Sequence, residues 1–96
     1  MNNNSLVASI ATVITYNGWS NRETWLANLW LGGDESYYEQ LCHIMSSYGE
    51  LYDQAEALEE WFRAESDVDY TSVWADFINL ALDRVNWYEI VEKNQE

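Results

Sequence analysis

The sequence predicts a mainly α-helical protein, a small bundle of four to five short helices preceded by a β-strand or a flexible arm. Three observations support this class. Apolar residues recur at helical spacing in several segments, residues that cap helices stand in front of those segments, and no proline interrupts the 96-residue chain. Because this length supports one small core, we predict an N-terminal strand or arm over residues 1–16 and a single acidic helical domain over residues 17–96.

The N-terminal segment has a period of two. In SLVASIATVITY, the even positions from Leu6 to Tyr16 form the more apolar face, which is typical of a strand. A lone strand must find an edge to pair with, for example in a second copy, and a flexible or partly helical arm is an equally good interpretation. The Asn17-Gly18 pair that follows favours a tight turn, because both residues tolerate a positive φ.

The first helix is predicted to begin at a capping box of Ser20 and Glu23 and to end at Gly32-Gly33. Its apolar residues share one broad face and predict a core stripe, while the place of Trp19 in the turn stays open. The predicted core stripe comprises Trp25, Leu26, Leu29 and Trp30.

The second and third helices have clearer apolar faces. The second is predicted to begin at Asp34 or Ser36 and to close at Gly49, and the third to run from Glu50 to about Ala64. In both, apolar residues recur every three or four positions. The predicted stripes are Tyr37, Leu41, Ile44 and Tyr48 in the second helix, and Leu51, Ala55, Leu58 and Phe62 in the third.

The last two helices follow an acidic loop. The fourth, from about Ser72 to Arg84, is apolar over more than half its girth, which predicts a central position in the bundle. The fifth is predicted to begin after Asn86, with Glu89 in the position that completes a capping box.

The charge balance restricts the classes of partner. Seventeen acidic residues against four basic ones give a net charge of −13, which repels nucleic acid and membrane surfaces and attracts basic proteins. We therefore expect no direct nucleic-acid or membrane partner. The single cysteine cannot form an internal disulfide, so we expect a reducing, cytoplasmic location.

No residue pattern predicts an enzyme, a metal site or a cofactor. Cys42 and His43 are the candidate nucleophile and base, but neighbours in a helix point about 100° apart and cannot form a dyad. The chain lacks a glycine-rich phosphate loop, and DVDYTSVWAD lacks the glycine and the final glutamate of an EF-hand. We expect a non-enzymatic protein.

The remaining candidate site is the acidic side of the third helix. Five carboxylates along about 15 Å give roughly one per 3 Å, near the axial spacing of about 3.4 Å between phosphates on one DNA strand. Such a surface fits a groove built for nucleic acid, with exposed aromatic side chains as anchors; a solvated face in which Glu59 pairs with Arg63 is the alternative. The candidate binding residues are Glu50, Asp53, Glu56, Glu59, Glu60, Asp67, Asp69, Tyr38, Tyr52 and Trp61.

Two stretches resemble a family of small uncharacterised proteins carried by bacteriophages, plasmids and their hosts. They are YNGWSNRETWLANLWLGGDE, residues 16–35, and ALDRVNWYEIVE, residues 81–92. The family pattern reads Tyr-Asn-Gly-Trp-Ser/Thr-Asn, a short spacer, Glu-Thr-Trp, Leu-Trp and an Asp-Glu pair, and residues 1–15 depart from most relatives. The resemblance implies a genetic setting on mobile elements and no mechanism.

Small acidic proteins in that setting are often inhibitors of host defence, which is an analogy at the level of class. We therefore expect a host-defence inhibitor of the anti-CRISPR or antirestriction type, which acts in the host cytoplasm and occupies a basic groove as a DNA mimic. The alternative is a homodimeric structural or regulatory adaptor. In that adaptor, residues 5–16 pair between copies and a stripe of Tyr38, Cys42 and Met45 packs across the axis.

Overall fold

A computed structural model describes residues 16–69 and 71–95. Within these ranges the predicted mainly helical class is confirmed, and the helices begin and end within a few residues of the predicted bounds. The strand predicted for the N-terminal segment falls on residues outside the described ranges. The helices, numbered in chain order, are α1 (Arg22–Gly33), α2 (Glu35–Ser47), α3 (Leu51–Glu65), α4 (Val73–Asp83) and α5 (Trp87–Asn94).

Side-chain caps explain where most of the helices begin. Asp34, Ser72 and Asn86 each accept a hydrogen bond from the backbone N–H three residues further on, which satisfies one of the free donors at the start of α2, α4 and α5. The first helix differs from the prediction. Its cap is Asn21 and not Ser20, because the Asn21 carboxamide oxygen accepts hydrogen bonds from both the backbone nitrogen and the hydroxyl of Thr24, at 2.8 and 2.7 Å.

One hydrophobic core lies between four of the helices. The most extensive contact joins α3 to α5, with α2 packed on α3 and α1 packed on α2 and α5. The inner residues of the stripes predicted for the second and third helices are in this core, so those predictions are confirmed at their centres. The buried core residues are Ala27, Leu31, Leu41, Ile44, Ala55, Leu58, Val85, Trp87, Ile90 and Val91.

The predicted core stripe of the first helix is wrong. The residues that α1 buries are Thr24, Ala27 and Leu31, whereas Leu26, Leu29 and Trp30 are about half exposed and Trp25 is half-buried, with its ring against Tyr16. The buried face of α1 packs on α2 and α5 through Thr24, Ala27 and Leu31. Apolar residues therefore remain on the outer face of the helix.

The predicted central position of the fourth helix is also wrong. Ala75 is the one buried residue of α4, and a row of large apolar side chains on its outer side is more than half exposed. The buried core residues that lie on helices belong to the other four helices, and α4 contacts them with one side only. The exposed row comprises Val73, Trp74, Phe77 and Leu80.

Candidate functional site

The turn before α1 has the predicted conformation. Tyr16 and Trp19 exchange two backbone hydrogen bonds of 2.6 and 2.8 Å. Asn17 and Gly18 between them have φ values of 52° and 89°, a left-handed pair that Asn and Gly adopt more easily than other residues. This geometry is that of a primed two-residue turn, although the chain continues into a helix and not into a second strand.

Lys93 of α5 holds this turn against the bundle. Its ammonium group donates a hydrogen bond to the carbonyl of Gly18, lies 4.5 Å from the centre of the Trp19 ring and is 3.3 Å from the Glu89 carboxylate. Trp19 is half-buried and packs against the core. The position that the sequence left open therefore belongs to a cation–π clamp inside the fold.

The two stretches on which the resemblance rests, residues 16–35 and 81–92, meet in space, and we call their contact the motif junction. Ser20 donates its backbone N–H and its hydroxyl to Glu89, at 3.1 and 2.7 Å. Asn21 donates to the carbonyl of Arg84 at 2.6 Å, and the buried Thr24 hydroxyl accepts the backbone N–H of Asn86 at 2.8 Å. Ser20, Asn21 and Thr24 therefore join the start of α1 to the segment between α4 and α5 and to α5 itself.

The acids assigned to capping boxes have other partners, so that part of the sequence interpretation is wrong. Glu23 forms an ion pair with Arg84, with 3.2 Å between Oε2 and Nε, and Glu89 receives the two hydrogen bonds from Ser20. Both contacts join residues more than sixty positions apart. A capping box is a local motif, and the tertiary contact prevails at both sites.

Glu89 makes the motif junction sensitive to acid. Burial raises the pKa of this carboxyl, but the hydrogen bonds from Ser20 and the nearby charge of Lys93 outweigh burial, so the pKa is lower than the usual 4.5. The folded chain thus binds this proton less tightly than the unfolded chain. The stabilising contribution of Glu89 is complete above the pKa of the unfolded chain and is lost as the pH falls through the lower pKa of the folded chain.

We expect Glu89→Gln to destabilise the protein at neutral pH and to flatten the acidic side of its stability profile. The free energy of unfolding, measured in urea between about pH 3 and pH 7, should differ most from the native value near neutrality and converge with it in acid. Glu92→Gln, at an exposed position of the same helix, is the control and should leave the profile unchanged. A constant difference at every pH would contradict the assignment.

The acidic side of α3 faces outward where the sequence placed it. Asp53, Glu56 and Glu60 are exposed along one side of the helix, and we call these three residues the carboxylate stripe. Within the described residues, the ion pairs involve Glu23, Glu59, Asp83 and Glu89, so the stripe has no basic partner there. Glu50, also exposed, precedes α3 and makes no side-chain capping bond.

Glu59, another predicted contact residue, is engaged in an ion pair with Arg63. The Arg63 guanidinium lies 2.8 Å from Glu59 and 2.8 Å from Asp83, and it donates a 3.2 Å hydrogen bond to Asn79. The ion pair between Glu59 and Arg63 is the one that the alternative interpretation expected. Arg63 therefore joins α3 to α4, and Glu59 serves this contact.

The remaining candidates are distributed between the acidic loop and the aromatic residues. Asp67 and Asp69 are exposed, and hydrogen bonds from the backbone and hydroxyl of Thr71 lower the pKa of Asp69. Tyr52 is 78% exposed and its ring centre lies 4.9 Å from that of Tyr88. The other two aromatic candidates differ: Tyr38 is about half exposed, whereas Trp61 is half-buried against the core, edge-on to Tyr37.

The sequence interpretation missed an apolar surface that joins two helices. A groove of about 150 Å³ lies between α1 and α4, and the residues that line it include Leu26 and Trp30 from α1 and Ala81 and Leu82 from α4. The sequence did contain a signal for this surface, because the fourth helix is apolar around more than half of its circumference. Such a helix either lies within a core or exposes one apolar side. We call the large apolar residues that α1 and α4 expose the apolar face; two of them, Leu26 and Trp30, also line the groove. The apolar face comprises Leu26, Leu29, Trp30, Val73, Trp74, Phe77 and Leu80.

No three His, Cys, Asp or Glu side chains in residues 16–69 and 71–95 are grouped so that they could hold a metal ion. Over the same residues, no helix combines the length and the apolar character needed to cross a bilayer. The surfaces that stand out are the carboxylate stripe and the apolar face.

The described residues define a small, acidic, helical protein that exposes a carboxylate stripe on α3 and an apolar face on α1 and α4. The chain belongs to the family of unknown function DUF7249, which it matches over residues 12–96. The match includes both stretches of the motif junction. No curated protein and no solved structure matches the chain.

Proposed function

We propose that the protein is a non-enzymatic inhibitor of a host-defence complex that handles nucleic acid, of the anti-CRISPR or antirestriction type. The carboxylate stripe of α3 binds a basic groove of that complex. The observation that carries the proposal is the exposure of Asp53, Glu56 and Glu60 on one side of α3, outside the ion pairs of the described residues. Three carboxylates so placed are available to a basic partner.

The contacts of the four basic residues support this proposal, because in the described part of the chain none of them is with the carboxylate stripe. Arg63, Arg84 and Lys93 form ion pairs within the fold, and the guanidinium of Arg22 lies 6.0 Å from the centre of the Tyr16 ring. The carboxylates of the stripe are therefore not compensated by these cations. A surface of one sign attracts a groove of the opposite sign and accelerates association.

The stripe also has a local cost. Glu56 lies three residues from Asp53 and four from Glu60, and like charges at these spacings destabilise a helix by about 0.2–0.5 kcal/mol per pair. Asp53 is in the first turn of α3, where a carboxylate is favourable, but Glu56 and Glu60 have no such compensation, and real proteins depart from local rules at functional sites. Contact with a basic groove relieves this repulsion, which is consistent with the proposal.

The spacing of the stripe indicates how it resembles DNA. Steps of three and four residues correspond to about 4.5 and 6 Å along the helix axis, which is wider than the axial step of about 3.4 Å between phosphates on one strand. The likeness is therefore one of charge and not of phosphate register. A groove that tolerates varied DNA sequences through backbone contacts is the better match for such a surface.

The mobile-element setting adds support at the level of class. The sequence stretches at residues 16–35 and 81–92 resemble proteins of bacteriophages and plasmids, and the gene of this protein is proposed to belong to such an element. The proposed site of action is the host cytoplasm. The acids of the 66–69 loop and the exposed ring of Tyr52 extend the proposed contact beyond the stripe, because charge alone directs association better than it slows dissociation.

We expect the triple variant Asp53→Asn, Glu56→Gln, Glu60→Gln to lose its partner without losing its fold. Native protein and variant would be used as bait in a host lysate that contains active CRISPR and restriction complexes, and captured proteins would be identified by mass spectrometry. The native chain should recover a nucleic-acid-handling complex that is released by about 0.5 M salt, because ionic contacts are screened. The unfolding temperature of the variant should be unchanged or higher, since repulsion on α3 is removed.

A matched variant separates the stripe from overall charge. Glu35→Gln, Glu39→Gln, Glu92→Gln removes the same number of charges at exposed positions of α2 and α5 and should capture the complex as the native chain does. Equal capture by the α3 variant, or capture that resists high salt, would contradict the proposal.

A further inference from the structure

We propose that the apolar face is a self-association surface, through which α4 of one chain packs into the groove between α1 and α4 of a second copy. The inference concerns another surface and another partner than the proposed function, and it does not depend on it. It rests on the area of the face, on its shape and on the distribution of charge around it.

The face is large for a chain of this size. Val73, Trp74, Phe77 and Leu80 are 58–67% exposed, and the three residues of α1 are 47–56% exposed. With about 200 Å² for a large apolar side chain, the seven residues expose roughly 800 Å² together. A stable interface of standard size needs about 800 Å² from each partner, which is comparable with the total apolar area that these residues expose.

The shape of the face is complementary to itself. On α4, Trp74, Phe77 and Ala81 share one side of the helix, because they are separated by three and four residues. The ridge of Trp74 and Phe77 thus stands beside the groove, whose wall includes Ala81 and Trp30. A two-fold axis places the ridge of each copy in the groove of the other, so that one contact uses the same surface twice.

The charges around the face favour a neutral partner surface over a basic one. Asp76 and Asp83 lie seven residues apart on another side of α4, which turns toward Arg63, as the 2.8 Å contact of Asp83 shows. At the end of the groove, Glu23 is paired with Arg84. A cationic partner therefore finds no unpaired carboxylate within the groove, whereas the apolar face of a second copy matches it.

This surface replaces the one that the sequence suggested for a dimer. Residues 5–15 of the suggested strand lie outside the described ranges, and Met45 of the suggested stripe packs against the core of its own chain. Met45 would have to leave that core to contact a second copy, whereas the apolar side chains of α4 are already exposed.

The test is sedimentation equilibrium of the full chain from about 1 to 500 µM at about 50 mM and 500 mM NaCl. We expect a dimer whose dissociation constant falls as salt is raised, because two chains of net charge −13 repel each other and salt screens that repulsion. At high protein concentration, the amides of α4 should exchange hydrogen more slowly than at low concentration. A monomer mass at every concentration and both salt levels, or a dimer that salt weakens, would overturn the inference.

Two variants locate the contact. Trp74→Gln, Phe77→Gln should raise the dissociation constant at least roughly tenfold, since buried aromatic anchors dominate such interfaces. Tyr48→Gln, Tyr52→Gln removes two exposed aromatic rings from another part of the surface and should leave the dissociation constant unchanged. Equal dimerisation by the native chain and the α4 variant would also overturn the inference, while the triple variant of α3 should dimerise at least as well as the native chain.

Discussion

Leu31→Ala is expected to destabilise the protein by about 2–5 kcal/mol, the range found when a fully buried leucine is truncated and a cavity remains. Leu31 is 0% exposed and lies in the core beneath α1. For a domain of this length, 1 kcal/mol corresponds to about 4–8 °C in unfolding temperature, so the melting point should fall by at least about 8 °C. Urea unfolding followed by far-UV circular dichroism measures the difference in free energy.

Leu29→Ala is the matched control, because Leu29 belongs to the same helix and is 51% exposed. It should cost less than about 1 kcal/mol, as expected for a substitution away from the core. The pair of variants also distinguishes the two faces of α1. If Leu29→Ala proved the more damaging of the two, α1 would be rotated relative to the structure and the stripe predicted from the sequence would be the buried one.

Thr24→Val is expected to cost about 1–3 kcal/mol, although the two side chains have nearly the same shape. The Thr24 hydroxyl donates to Asn21 at 2.7 Å and accepts the backbone N–H of Asn86 at 2.8 Å. Valine can do neither, so the N–H of Asn86 is left without its partner beside a side chain that is fully buried. Both α1 and the link between α4 and α5 should loosen, which hydrogen exchange at their amides would detect.

Thr71→Val removes a similar bond at the surface and serves as the control. The Thr71 hydroxyl donates to Asp69 at 2.9 Å, but the residue is exposed and water can replace the lost partner. The expected cost is below about 0.5 kcal/mol. Equal losses from the two variants would mean that burial of the hydroxyl in the motif junction contributes nothing special to stability.

The sequence predicted what depends on neighbouring residues. Helix starts at Asp34 or Ser36, at about Ser72 and after Asn86 were recognisable because a short polar side chain bonds to its own backbone a few residues further on. The buried stripes of α2 and α3 were recognisable because a polar face lies opposite an apolar one. The exposure of Asp53, Glu56 and Glu60 follows from the same contrast, which is why the acidic surface was located in advance.

What the sequence could not predict depends on distant residues. On α1, apolar side chains occupy both faces, so the periodic pattern does not say whether Leu29 or Leu31 is inside. The hydrogen bonds of Ser20 to Glu89 join positions 69 residues apart, and no local rule predicts such a pair. The outward side of α4 was hidden for a similar reason, since its apolar character fits a central helix as well as an exposed one.

Three of the four basic residues take part in tertiary contacts, so cleavage by trypsin reports on the local unfolding of each contact. Trypsin cleaves after lysine and arginine, and the chain offers it four such positions. Cleavage after Arg63 requires release of α4, cleavage after Arg84 requires opening of the motif junction, and cleavage after Lys93 requires the turn to leave α5. The order in which limited digestion produces these fragments therefore ranks the local stabilities of three separate contacts in one experiment.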